Sequence, residues 1–134
     1  MSVRSGRKGK TMAGNVAGKA SLFCFGMGYC ASALSARLGW ESWRIVGTAR
    51  EPDARPNILR FDRSHPLTGP FDNADSKRAG CTHLLVSIPP DEEGDPALGR
   101  HQAEIVEQAR AGSLRWVGYL STTGVYGDHQ GRWV

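Results

Sequence analysis

Along this chain, short unbroken apolar blocks alternate with stretches whose apolar positions recur at helical spacing. Residues 21–25 (SLFCF) form an apolar, aromatic-rich run that stops at Gly26, which predicts a buried strand. Over residues 29–38, Ala31, Leu34, Ser35 and Leu38 fall on one helical face, and Gly39 supplies a helix stop. Residues 43–49 (WRIVGTA) predict a second strand and residues 57–61 a short third one. A short helix is expected over residues 72–78. Residues 82–88 (THLLVSI) predict a fourth strand, halted by Pro89 and Pro90, which can neither donate to a ladder nor continue it. Residues 98–111 predict a helix with Leu98, Ile105 and Ala109 on one face, and residues 114–120 a fifth strand.

Strands alternating with helices predict an α/β fold built from βαβ units, with a parallel sheet covered on both faces. The right-handed crossover rule then favours a Rossmann-type, doubly wound sheet of order 3-2-1-4-5. The domain is expected over residues 21–134, with a sheet incomplete at its C-terminal side. In such sheets ligands sit at the carboxyl ends of the strands, near the point where the strand order reverses. Chemistry is therefore expected just after residues 25, 49, 88 and 120.

Charge changes this picture only at the amino terminus. Residues 1–20 hold Arg4, Arg7, Lys8, Lys10 and Lys19 and no acid, which leaves 12 of the 17 basic residues against all 13 acidic ones in the remainder. The basicity belongs to a tail, and the expected domain is close to neutral. Nucleic-acid contact by the tail is one reading. Its Gly, Ser and Lys content and its lack of aromatic residues to stack on bases favour a disordered leader instead. No stretch reaches the roughly 18 apolar residues of a membrane span, and no secretory signal follows the basic start, so a cytoplasmic protein is expected. Cys24, Cys30 and Cys81, odd in number and scattered, read as reduced core thiols. His65, His83, His101 and His129 show no ligand spacing with them, so no metal site is expected. Residues 91–95 (DEEGD) read as a solvated acidic loop.

Gly26, Met27, Gly28, Tyr29, Cys30 and Ala31 spell G-x-G-x-x-A between a strand and a helix. Gly26 permits a tight turn, Gly28 lets a pyrophosphate approach the backbone, and Ala31 allows close helix–strand packing. The helix N-terminus adds free N–H groups and partial positive charge. At the end of the second strand, where an NAD site usually places an acid for the ribose hydroxyl, this chain has Arg50. A guanidinium there suits the 2′-phosphate of NADP, so NADP is the expected cofactor and NAD the second choice. Asp62, after the third strand, could accept from the amine of adenine. Ser87, Ile88 and Pro89 end the fourth strand with a small residue and a stiff turn along which a cofactor could lie.

After the fifth strand, Ser121, Thr122, Thr123, Gly124, Val125, Tyr126 and Gly127 resemble the S-[ST]-x-x-V-Y-G signature of extended short-chain dehydrogenases. That family comprises NAD(P)-dependent epimerases, dehydratases and reductases, many acting on nucleotide sugars. The glycine loop, with Tyr29 inside it, is similar to that of the atypical members. The resemblance runs from about residue 21 to residue 131. It implies a dinucleotide cofactor and a small-molecule substrate such as a nucleotide sugar or carbonyl compound. It also implies that the Thr122 hydroxyl, with Ser121 or Thr123 sharing the task, would bond the reacting oxygen as charge develops. The family's acid–base is the tyrosine of a Tyr-x-x-x-Lys pair roughly two dozen residues further on. No such pair occurs in this sequence, and the only lysine after residue 20 is Lys77. The expectation is a truncated domain of an oxidoreductase or epimerase, inactive by itself and prone to self-association through its open sheet edge. The alternatives are a non-catalytic dinucleotide-binding or interaction module, and a nucleic-acid-associated protein using its tail.

Overall fold

The computed structural model describes residues 20–68, 81–121 and 128–133. Its elements run β1 (Ala20–Phe25), α1 (Tyr29–Leu38), β2 (Trp43–Ala49), β3 (Ile58–Arg60), β4 (His83–Val86), α2 (Pro96–Arg110) and β5 (Trp116–Tyr119). The strands form one sheet in the order β3-β2-β1-β4-β5. Every neighbouring pair is parallel, with Leu22 opposite both Ile45 and His83, and His83 opposite Trp116. The order reverses between β1 and β4, as the alternation of elements predicted.

Two cores result from the alternation of side chains along each strand. Leu22 and Cys24 of β1, Ile45 of β2 and Leu85 of β4 meet Ala31 of α1 on one face. Phe23 and Phe25, Val46, Leu84 and Val86 meet Ala97 and Ile105 of α2 on the other. Phe25 packs edge-on against Phe23 at 5.1 Å and against Phe61 at 5.0 Å between ring centroids. A fully buried side chain of this size contributes about 1.5–3 kcal/mol relative to an exposed one. Central strands covered on both faces explain why β1 and β4 read as apolar runs and not as alternating ones.

Several expectations need correction. β1 begins at Ala20, one residue inside the span assigned to the tail. α2 begins at Pro96, because Asp95 caps it through a bond from Leu98 N–H at 2.8 Å and Pro96 fits the first turn. That earlier start comes with a different buried stripe: Ala97, His101 and Ile105 face the sheet, and Ala109 is exposed. Cys30 is exposed, not part of the core. Burial does push the Cys24 thiol up to about 12 and that of Cys81 to about 11, so both stay protonated at neutral pH. The expected leader (residues 1–19) and short helix (residues 72–78) lie outside the described residues. Among the described residues, no helix is long and apolar enough to cross a membrane.

Candidate functional site

The turn from β1 into α1 is built on two glycines with different duties. Gly26 has φ +90, a conformation that side-chain-bearing residues rarely adopt, and a Cβ there would lie 3.0 Å from Ile88 Cγ1 and 3.1 Å from Ser87 Oγ. The turn is held from both neighbouring strands. Gly26 N–H donates to Thr48 Oγ1 at 2.9 Å and Met27 N–H to Thr48 O at 2.7 Å. From the other side, the Ser87 hydroxyl donates to Gly26 O at 2.6 Å. The Met27 side chain lies over Gly47, where any side chain would overlap it. Gly28 is the N-cap of α1 with ordinary extended geometry, and it makes no side-chain cap bond to the helix. A Cβ on Gly28 would meet nothing within 4 Å.

This turn floors a cleft of about 610 Å³ at the carboxyl ends of β1, β2, β3 and β4. That volume falls in the range of about 300–1,000 Å³ usual for small-ligand sites. The cleft brings together Gly26, Met27, Gly28, Arg50, Asp62, Ser87, Ile88 and Pro89, all singled out in the sequence. Tyr29 is left out of the wall and stands 90% exposed at the start of α1. Thr122 lies outside the described residues.

Arg50 makes no hydrogen bond or ion pair among the described residues, so its guanidinium is free for an anion. Asp62 is not free in the same way. Its carboxylate accepts from Ser64 N–H at 2.8 Å, His65 N–H at 3.0 Å and the His65 ring at 2.9 Å. The His65 ring, joined by these N–H groups, holds the Asp62 carboxyl below the usual carboxylate range. Its work in this structure is therefore to close the turn after β3.

Sequence pattern alone did not single out Thr48, Phe61, Arg63 or Asp91, all of which line the cleft. Thr48 is fully buried and serves the glycine turn with both its hydroxyl and its carbonyl. A β-branched hydroxyl at the end of a strand is its only trace in the sequence. Arg63 and Asp91 form an ion pair across 28 positions of chain, which no local pattern reveals. The loop of residues 91–95 is accordingly not a merely solvated acidic run. Asp91 pairs with Arg63, while Asp95 caps α2 and accepts from the Tyr119 hydroxyl at 2.7 Å. His101 sits behind the Phe61 wall, stacked on Phe25 at 5.4 Å, with Nδ1 on Glu104 at 3.2 Å and Nε2 unpartnered among the described residues.

Fold and cleft together define an open, doubly wound α/β domain of Rossmann-like architecture with its cavity beside the point where the strand order reverses. The chain is similar to a solved structure from Silicibacter pomeroyi DSS, described as a functionally unknown conserved protein, at 42% sequence identity and a TM-score of 0.65. The match covers 86% of this chain and 40% of that one, so the chain spans about two fifths of the protein it resembles. No family model and no curated protein matches the chain.

Proposed function

We propose that the cleft binds a dinucleotide of the NADP type. On this reading the chain is the nucleotide-binding part of an NAD(P)-dependent oxidoreductase or epimerase akin to the extended short-chain dehydrogenases. The observation that carries the reading is the uncapped start of α1. Gly28 offers no side chain to the first-turn N–H groups, so those donors and the positive end of the helix are left for an anion at the cleft.

The residues present fit such a group. A diphosphate can approach Gly28 closely because the space a side chain would fill is open. Arg50 is positioned at the end of β2, where a 2′-phosphate would meet an unengaged guanidinium, and NAD is the weaker alternative. Ile88 and Pro89 offer an apolar wall for the adenosine, and Phe61 stands opposite on the β3 side. When bound, the cofactor would supply hydride transfer. This stretch of chain would bind and orient it, with Thr122 bonding the reacting oxygen of a carbonyl compound or nucleotide sugar. The 134 residues contain no Tyr-x-x-x-Lys pair. We place the protein in the cytoplasm, in keeping with its free cysteines.

Calorimetric titration of the full chain with NADP and NAD, for wild type and Arg50→Ala, tests the reading. NADP is expected to bind more tightly, and the substitution to shrink that preference roughly tenfold, as loss of a charge-assisted contact would. A wild type that binds neither dinucleotide overturns the function. A preference unchanged by Arg50→Ala removes Arg50 from the recognition of the 2′-phosphate.

A further inference from the structure

In the sheet, β3 and β4 are separated by β2 and β1. Any bond between the turn after β3 and the loop after β4 must therefore pass across the carboxyl ends of β2 and β1, where the cleft opens. Arg63 and Asp91 make such a bond, and both line the cleft. Arg63 Nε donates to Asp91 Oδ2 at 2.9 Å while Nη2 donates to Asp91 Oδ1, which is the two-pronged geometry that guanidinium and carboxylate share. Nη2 also donates to Gly94 O at 2.9 Å, and Glu93 Oε2 lies 3.8 Å from Nη1. Arg100 of α2 ties down the Arg63 carbonyl at 3.1 Å.

Both ends of the bridge are stiff. On the β3 side, Asp62 pins the backbone of Ser64 and His65. On the β4 side, Pro89 and Pro90 lead into a turn closed by reciprocal backbone bonds of 3.0 Å between Asp91 and Gly94. Asp91 Oδ1 accepts from Glu93 N–H as well. Three of the donor directions of Arg63 thus point to the opposite wall. What Arg63 then adds to the cavity is its stem and its flat guanidinium, a surface suited to a planar heteroaromatic ring.

We propose that the Arg63–Asp91 pair is a clasp that fixes the width of the cleft at its β3–β4 end, pre-forming a slot for the adenine base of the nucleotide. The inference rests on the nucleotide reading of the cleft and deepens it: Arg63 is a base-positioning residue, and Asp91 acts through Arg63. The order is present before the ligand arrives, so the ligand does not have to create it on binding. Losing the pair lowers the fraction of molecules with the slot formed, and the bound base escapes faster.

Stopped-flow and equilibrium titrations of the full chain with NADPH and with adenosine 2′,5′-bisphosphate test this. The variants are Asp91→Asn, Arg63→Lys and the double variant Arg63→Lys/Asp91→Asn. An ion pair this exposed is worth little on its own, so each single variant is expected to weaken both ligands by about three- to fivefold, chiefly by faster release. Because Asp91 acts through Arg63, the double variant is expected to bind no more weakly than Arg63→Lys alone, whereas two independent losses would multiply. Single variants that bind as wild type does, or a double variant whose loss is the product of the two single losses, overturn the clasp alone. A wild type that binds neither ligand overturns the nucleotide reading and the clasp with it.

Discussion

The two helices of this domain begin in opposite ways. α1 opens on Gly28, with no capping side chain and open space around the position of the missing Cβ. α2 opens on Asp95, whose Oδ1 takes Leu98 N–H and whose Oδ2 takes the Tyr119 hydroxyl, with Pro96 removing one donor that would otherwise need a partner. Each helix start presents unpaired first-turn N–H groups, one fewer at α2 because of Pro96, and the same kind of partial positive charge. At α2 a carboxylate of the chain itself takes Leu98 N–H and sets a negative charge at the helix start, which disfavours outside anions. At α1 the cap residue Gly28 has no side chain to do so, and Gly28 lines the cleft. One residue type at the cap decides whether a helix start is closed by the chain's own carboxylate or left open at the cleft.

The strongest way to break this contrast is to give α1 the cap that α2 has. Gly28→Asp is expected to leave folding stability within about half a kcal/mol of wild type, because aspartate and glycine differ little as N-caps. Nucleotide affinity should nevertheless fall about a hundredfold, since the carboxylate would occupy the donors and repel phosphate. Chemical denaturation and calorimetry on the same sample check both halves. A Gly28→Asp variant that still binds NADP as wild type does would show that the α1 terminus is no phosphate site.

Gly26→Ala attacks the turn in place of the cap. The positive φ and the crowding by Ile88 and Ser87 are expected to lower stability by about 2–3 kcal/mol, measured by urea denaturation. Opening the α2 terminus has a smaller effect. Asp95→Ala removes the cap bond and the Tyr119 bond, for an expected loss of about 1 kcal/mol, with nucleotide affinity unchanged.

The smallest expected effect is a pH dependence that α2 has and α1 lacks. The hydrogen bond to Asp95 raises the Tyr119 pKa above its ordinary 10.0. The protonated phenol is the form the fold favours. That contribution is complete below pH 10.0 and fades as pH rises through the higher folded value. Wild type should therefore lose slightly more stability than Tyr119→Phe between about pH 9 and about pH 12, in denaturation curves taken side by side. Parallel curves for the two proteins would mean that the Tyr119–Asp95 bond adds nothing.

Local pattern carried most of the architecture. The bounds of α1 and β2 match the periodicity residue for residue, because Gly28, Gly39 and the apolar run of residues 43–49 punctuate the chain strongly. The start of α2 was less legible: Asp95 and Pro96 are a recognisable helix opening, but they close an acidic run that also reads as a loop. β3, β4 and β5 are all shorter than the apolar runs that predicted them, because apolar packing continues beyond the ladders: Phe61, Ile88 and Leu114 lie outside the strands and still pack into the core. At the cleft, the glycines, Arg50 and the residues ending β4 were legible, since each follows a strand at its carboxyl end. The true employment of Asp62 was not, because its partners Ser64 and His65 are set by how the chain turns after β3.

The amino-acid order by itself determined that strands and helices alternate, that the central strands β1 and β4 are buried on both faces, and that a glycine turn opens α1, whereas β5, expected to be covered as well, is largely exposed. These depend on interactions within about four residues along a helix, or two along a strand. Only the tertiary structure decided which groups far apart in sequence would meet. Thr48 reaches back to the glycine turn across 22 positions, Ser87 across 61, and Arg63 spans 28 to Asp91. Sequence spacing carries no record of such contacts, because they arise when parallel strands bring their carboxyl ends to one edge of the sheet.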